Sequence, residues 1–152
     1  MGIDEGYFHY ERGLPKWERI GHPLDTASLW LCMGIALFAP FSSTALKVYG
    51  AFAILSCIMV TKDEFTHKHH CRASENWLHA FLFLLHPLIL ICTAMIWAAI
   101  SAEVPTWLME LATHRSVLEM FLSVQTACTG IFLLYQIIFW NFIWINKPVK
   151  KY

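Results

Sequence analysis

Long apolar runs separated by short polar breaks dominate the chain. Four runs stand out, over about residues 27–41, 45–62, 77–100 and 117–145. Asp25 or Thr26 suits the N-cap of the first, and Pro40 with the Ser42–Ser43 pair ends it. Ser74 suits the N-cap of the third, and Pro148 stops the fourth. Crossing the hydrocarbon takes about 20 apolar residues, with a range of roughly 17–25. The third and fourth runs meet that length outright. The first two reach it by extending through their polar flanks, and a re-entrant pair is the alternative. Val104 to Ala112 predicts a short interfacial helix, with Pro105 in its first turn and Trp107, Leu108 and Leu111 on one apolar side. The expected fold is all-α: one integral membrane domain over residues 1–152, a four-helix bundle preceded by an N-terminal arm at 1–24.

Composition agrees with that pattern. The chain is 57% hydrophobic and only 14% charged, where a soluble domain carries about 25% charge. Formal net charge is zero, which gives no electrostatic reason to expect a nucleic-acid partner. The expected surroundings are the lipid bilayer, with a homo-oligomer or a larger membrane complex as further possibilities. The five cysteines are irregularly spaced and form no CxxC, so a disulfide scaffold is not expected. Residues 1–20 contain no apolar core of a cleavable leader, and the first membrane helix is expected to target the chain.

Charge then sets an orientation. Arg12, Lys16 and Arg19 precede the first run; Lys62, Lys68 and Arg72 lie between the second and third; Lys147, Lys150 and Lys151 follow the fourth. With four spans these segments share one side, and of the eleven Lys and Arg only Lys47 and Arg115 lie opposite. Basic groups favour the cytoplasm, which predicts cytoplasmic termini and a cytoplasmic 61–76 connection.

Candidate chemistry concentrates between Thr61 and Pro87. That stretch holds five of the eight histidines (His67, His69, His70, His79 and His86) together with Asp63, Glu64 and Glu75. On a helix continuing past Val60, Asp63, His67 and His70 share a side, and Glu64 and His67 are neighbours at i, i+3. Glu75, His79 and His86 lie within roughly 40° of one another on the next helix. Two facing stripes of carboxylate and imidazole form a donor set for iron, zinc or manganese. The predicted ligands are Glu64, His67, His70, Glu75, His79 and His86. Asp63, His22 and Cys71 are secondary candidates. His86 also lies about 13 Å past Trp77 into the membrane, a depth at which an ionisable group points to function, with Gln136 as its expected neighbour. His9 and His114 are expected to be incidental. The competing reading is ordinary: a solvated polar loop, with Glu75 complementing a helix dipole.

Glu64-x-x-His67 shares the spacing of the Glu-x-x-His motif of carboxylate-bridged di-iron bundles, but the second pair, Glu75 and His79, is spaced i, i+4. His67-Lys68-His69-His70 is similar to one partial histidine box of a membrane hydroxylase. Haem is a weaker expectation, since His86 has no partner histidine at its depth in the runs. The sequence thus predicts a membrane metalloprotein with a cytoplasm-facing His/carboxylate site, an oxidoreductase or hydrolase acting on a lipophilic substrate. The alternatives are a non-enzymatic accessory subunit and a metal or proton transporter using His86.

Overall fold

The structure, a computed structural model, describes Tyr7, His9, Tyr10 and residues 17–67, 73–102 and 104–144, with the backbone alone at 62–67 and 73. All regular structure among the described residues is helical. Four long helices, α1 (Glu18–Phe38), α2 (Ser43–His67), α3 (Ala73–Ile100) and α5 (Arg115–Ile138), carry the fold. A 3₁₀ turn (Thr106–Leu108) leads into the single helical turn α4 (Met109–Ala112), and a π-helical turn (Phe139–Ile143) extends α5. Three stretches are long and apolar enough to cross a membrane: Ser43–Thr61, Ser74–Ile100 and Arg115–Ile143.

α1 is outside that set because Glu18, Arg19, His22 and Asp25 make its N-terminal half less apolar. It lies against α2, α5 and α3 at once. Leu29, Cys32, Met33 and Ala36 form a buried stripe at helical spacing. Thr26 and Ser28 are also buried, where they meet protein rather than lipid. α1 also exposes large apolar side chains, Leu24, Leu31 and Phe38 among them, as α2, α3 and α5 expose Ile54, Leu84 and Ile131.

The first helix corrects the sequence expectation. It starts at Glu18, so Asp25 and Thr26 sit inside it and cap nothing. Pro23 lies within its second turn. A proline there removes the N–H that would meet the Arg19 carbonyl. Asn141 Nδ2, from the π turn, reaches that carbonyl at 3.5 Å, and it also donates to the Ile137 carbonyl at 3.1 Å. The π turn is closed by Trp144 N–H donating to the Phe139 carbonyl at 2.8 Å, five residues back.

The break between α1 and α2 falls where Pro40 and the serines predict. Ser42 caps α2, its Oγ accepting from Ala45 N–H at 3.2 Å. The carbonyl of Ala39 accepts from Trp97 Nε1 at 2.9 Å, and Trp97 packs edge-on against Phe41. Tyr49 donates to the Leu90 carbonyl at 2.6 Å, tying α2 to α3. Trp30 donates to the Thr126 carbonyl at 3.0 Å, tying α1 to α5. Gly130 permits that approach: a Cβ there would stand 2.9 Å from Trp30 Nε1. In the short 104–112 segment only Leu108 is buried, against Ala98 and Ala99, while Trp107 is exposed. Leu111 is partly buried against the same cluster, so the expected apolar side holds for Leu108 and Leu111 and loses Trp107.

Candidate metal centre

The N-terminal arm and the first turns of α1 and α3 meet at one end of the helices. Glu18 and His22 lie one turn apart on α1; Glu75 and His79 lie one turn apart on α3. The i, i+4 spacing puts each carboxylate on the same side as its imidazole. His9, from the arm, stands between the two pairs. Two ligand groups result: His9, Glu75 and His79, and His9, Glu18 and His22, with donor atoms in each group within 4.8 Å of one another.

His9, Glu18 and Glu75 are buried, and His22 and His79 are partly so. The His9 ring centroid lies 4.8 Å from that of His22 and 6.3 Å from that of His79. Two imidazoles bound to one ion at about 2.0–2.1 Å have centroids roughly 4.5–6.3 Å apart, depending on the angle at the metal. The His9–His22 separation falls within the about 4.5–5.2 Å that two ring centroids take at an angle of about 90–110° on the ion, while the His9–His79 separation requires a near-trans pair or a turn of one ring. Donors around one ion lie about 3–4 Å apart, so a contraction of up to about 1–2 Å would bring either group to ligating distance. His9 is held from behind by Trp140 of the π turn, whose ring sits edge-on at 6.2 Å.

Each group contains two imidazoles and one carboxylate. That set with open positions is characteristic of non-haem iron, and the same set serves catalytic zinc. The two carboxylates together balance the charge of one divalent ion.

Of the predicted ligands, the structure brings together Glu75, His79 and the secondary candidate His22. It adds His9 and Glu18, which sequence reading set aside or missed. Glu18 had a signal, since Glu18-x-x-x-His22 repeats the Glu75-x-x-x-His79 spacing; it was hidden by starting the first helix after Pro23. His9 has no signal beyond its residue type. The side chains of Asp63, Glu64 and His67, and all of His70 and Cys71, lie outside the described residues.

His86 belongs to neither group. It lies deeper, where its Nε2 is 2.8 Å from Ser56 Oγ and 3.9 Å from Asp25 Oδ1. Its hydrogen bond goes to α2 rather than to Gln136, though both residues border the same cavity. Ser28 Oγ lies 2.8 Å from Ser56 Oγ and 2.8 Å from the Asp25 carbonyl. Ser28 has one proton, and the carbonyl can only accept. The consistent arrangement is a chain: His86 Nε2–H to Ser56, Ser56 to Ser28, and Ser28 to the carbonyl. Ser56 and Asp25 thus approach the same imidazole nitrogen, unlike a nucleophilic triad, where base and carboxylate use opposite ring nitrogens.

A cavity of about 440 Å³ runs from this end between the helices. Its lining runs along the helices from His22 and His79, past Asp25 and His86, to Ile96 and Leu122. The arrangement sets a metal-ligating cluster beside an apolar, substrate-sized space. Comparison with known protein families, with characterised proteins and with solved structures finds no match for the chain.

Proposed function

We propose that this protein is an integral membrane metalloenzyme that binds a divalent ion, best suited to iron, through His9, Glu18, His22, Glu75 and His79. The observation that carries the reading is a pair of three-residue groups, His9–Glu75–His79 and His9–Glu18–His22, which share the buried His9 and draw three imidazoles and two carboxylates from three chain segments. Open positions on such an ion would face the cavity bordered by His22 and His79, where the ion would bind oxygen or activate water. The apolar remainder of that cavity supports a lipophilic substrate.

The proposed setting is a four-helix membrane bundle, with α1 as a fourth span. Its 21 residues cover about 32 Å at 1.5 Å per residue, against a hydrocarbon thickness of about 30 Å. With four spans, the distribution of Lys and Arg supports cytoplasmic termini and a metal centre at the cytoplasmic end. Zinc-dependent hydrolysis is the second reading, favoured by the same donor set.

The test is elemental analysis of the detergent-purified full-length protein after exposure to Fe(II) or Zn(II) and removal of excess ion. Stoichiometric metal that is lost in His79→Ala and in Glu18→Ala, and retained in His114→Ala and His86→Ala, is expected. Sub-stoichiometric metal in the wild type, or equal metal in all variants, would overturn the proposal. An optical spectrum of the iron-loaded protein separates non-haem iron from haem in the same sample.

A further inference from the structure

The cavity beside the metal centre is long and graded. Along α3 its lining runs from His79 to Ile96, and along α5 from Gln136 to Phe121. Those separations correspond to about 25 Å and about 22 Å of helix. The volume of about 440 Å³ spread over that length makes the space an elongated slot with room for one extended chain.

The gradient is chemical. The near half is bordered by His22, Asp25, Thr26, His79, His86 and Gln136. The far half is bordered mainly by Leu29, Met33, Cys92, Ile96, Phe121 and Leu122, with the Gln125 amide beside them. Two threonines in that far half turn their hydroxyls back to their own helices: Thr93 donates to the Ile89 carbonyl at 2.8 Å and Thr129 to the Gln125 carbonyl at 2.8 Å. Each hydroxyl proton is thereby directed to the backbone and away from the slot.

Charge narrows the class of head group. The ion would balance Glu18 and Glu75, so the carboxylate that borders the slot itself is Asp25, and no Lys or Arg borders the slot among the described residues. An anionic head would enter a field of its own sign. The Asp25 carboxylate accepts hydrogen bonds and can take one from a hydroxyl. Phe83, Ile89 and Phe121 border the slot and are also exposed on the outer surface of α3 and α5, so the slot is reached sideways, from the surface that faces lipid in the proposed membrane setting.

We infer that the slot binds a neutral single-chain lipid, a long-chain alcohol or its like. The polar end lies between Asp25–His86 and the metal centre, and the methyl end lies between Ile96 of α3 and Leu122 of α5. This inference rests on the metalloenzyme reading and names its substrate class.

The test uses a long-chain alcohol with a diazirine at its methyl end, added to the full-length protein in nanodiscs, followed by irradiation and peptide mapping. Metal is measured on the same sample. Saturable labelling near Ile96, Phe121 and Leu122 is expected, competed by unlabelled oleyl alcohol and at least tenfold less by oleate. Ile96→Trp and Cys92→Phe, checked for folding by circular dichroism, are expected to abolish that labelling. The wild-type competition decides the matter even if both variants misfold. Non-saturable labelling spread over outward residues such as Ile54 and Leu134, or equal competition by oleate, would overturn the inference. Bound metal without saturable labelling defeats the lipid inference alone; saturable labelling without metal defeats the metal reading alone.

Discussion

Ser56→Ala tests the buried hydrogen-bond chain most sharply. Ser56 is fully buried, and its hydroxyl both accepts from His86 and donates to Ser28. The substitution removes a few atoms and little apolar contact, so packing changes are small. It leaves the His86 Nε2–H without its acceptor, and Ser28 keeps its own bond to the Asp25 carbonyl at 2.8 Å. An orphaned buried donor costs about 1–3 kcal/mol, while interhelical hydrogen bonds in membranes average about 0.6 and reach about 1.7 kcal/mol. Asp25 Oδ1, 3.9 Å from His86 Nε2, limits the loss, because a small swing of the ring recovers an acceptor. The expected cost is about 1–2 kcal/mol. Ser28→Ala should cost less, about 0.5–1 kcal/mol, because the freed Ser56 hydroxyl can turn to a carbonyl one turn back on α2. Reversible unfolding in mixed micelles, followed by far-UV circular dichroism, measures both. A Ser56→Ala protein within about 0.3 kcal/mol of wild type, or a larger loss in Ser28→Ala, would refute the proton assignment.

Gly130→Ala puts a methyl 2.9 Å from Trp30 Nε1 and should destabilise the α1–α5 contact by about 1–3 kcal/mol; in a Trp30→Phe background the penalty should shrink, and an equal penalty in both would contradict the contact. Trp97→Phe removes the donor to the Ala39 carbonyl and should cost about 0.5–1.5 kcal/mol in the same unfolding assay, with no loss indicating that the α1–α2 break does not depend on that bond. Reporter fusions at the two ends of the chain should report the same, cytoplasmic side; opposite sides would leave α1 outside the set of spans.

Much of the fold was legible because apolar runs and their breakers are local. Pro40 with Ser42 ends α1 and caps α2, and the 104–112 segment begins at Pro105 as its sequence predicts. The first helix was misjudged for a physical reason. Asp25 or Thr26 reads as the N-cap of the first apolar run, yet the helix begins at Glu18; Pro23 in an early turn costs one backbone bond, and Asn141 from the far end of the chain reaches the freed carbonyl. No local pattern announces a partner more than a hundred residues away. The same boundary hid Glu18, whose i, i+4 spacing to the secondary candidate His22 becomes visible only once that segment is helical. His9 belongs to an arm without periodicity, and only tertiary packing against α1, α3 and Trp140 reveals its place. His86 was singled out correctly as a buried, deep imidazole, but depth alone did not say that Ser56, a small residue on the neighbouring helix, would meet it.

The account turns on whether one ion joins the arm to α1 and α3. The most direct measurement is metal stoichiometry in the wild type and in His9→Ala, since His9 is common to both ligand groups. The account predicts bound metal in the wild type and its loss in His9→Ala, with Tyr10→Phe, its neighbour on the arm, keeping the full complement. Full metal in His9→Ala, or none in the wild type after loading with Fe(II) or Zn(II), would contradict it.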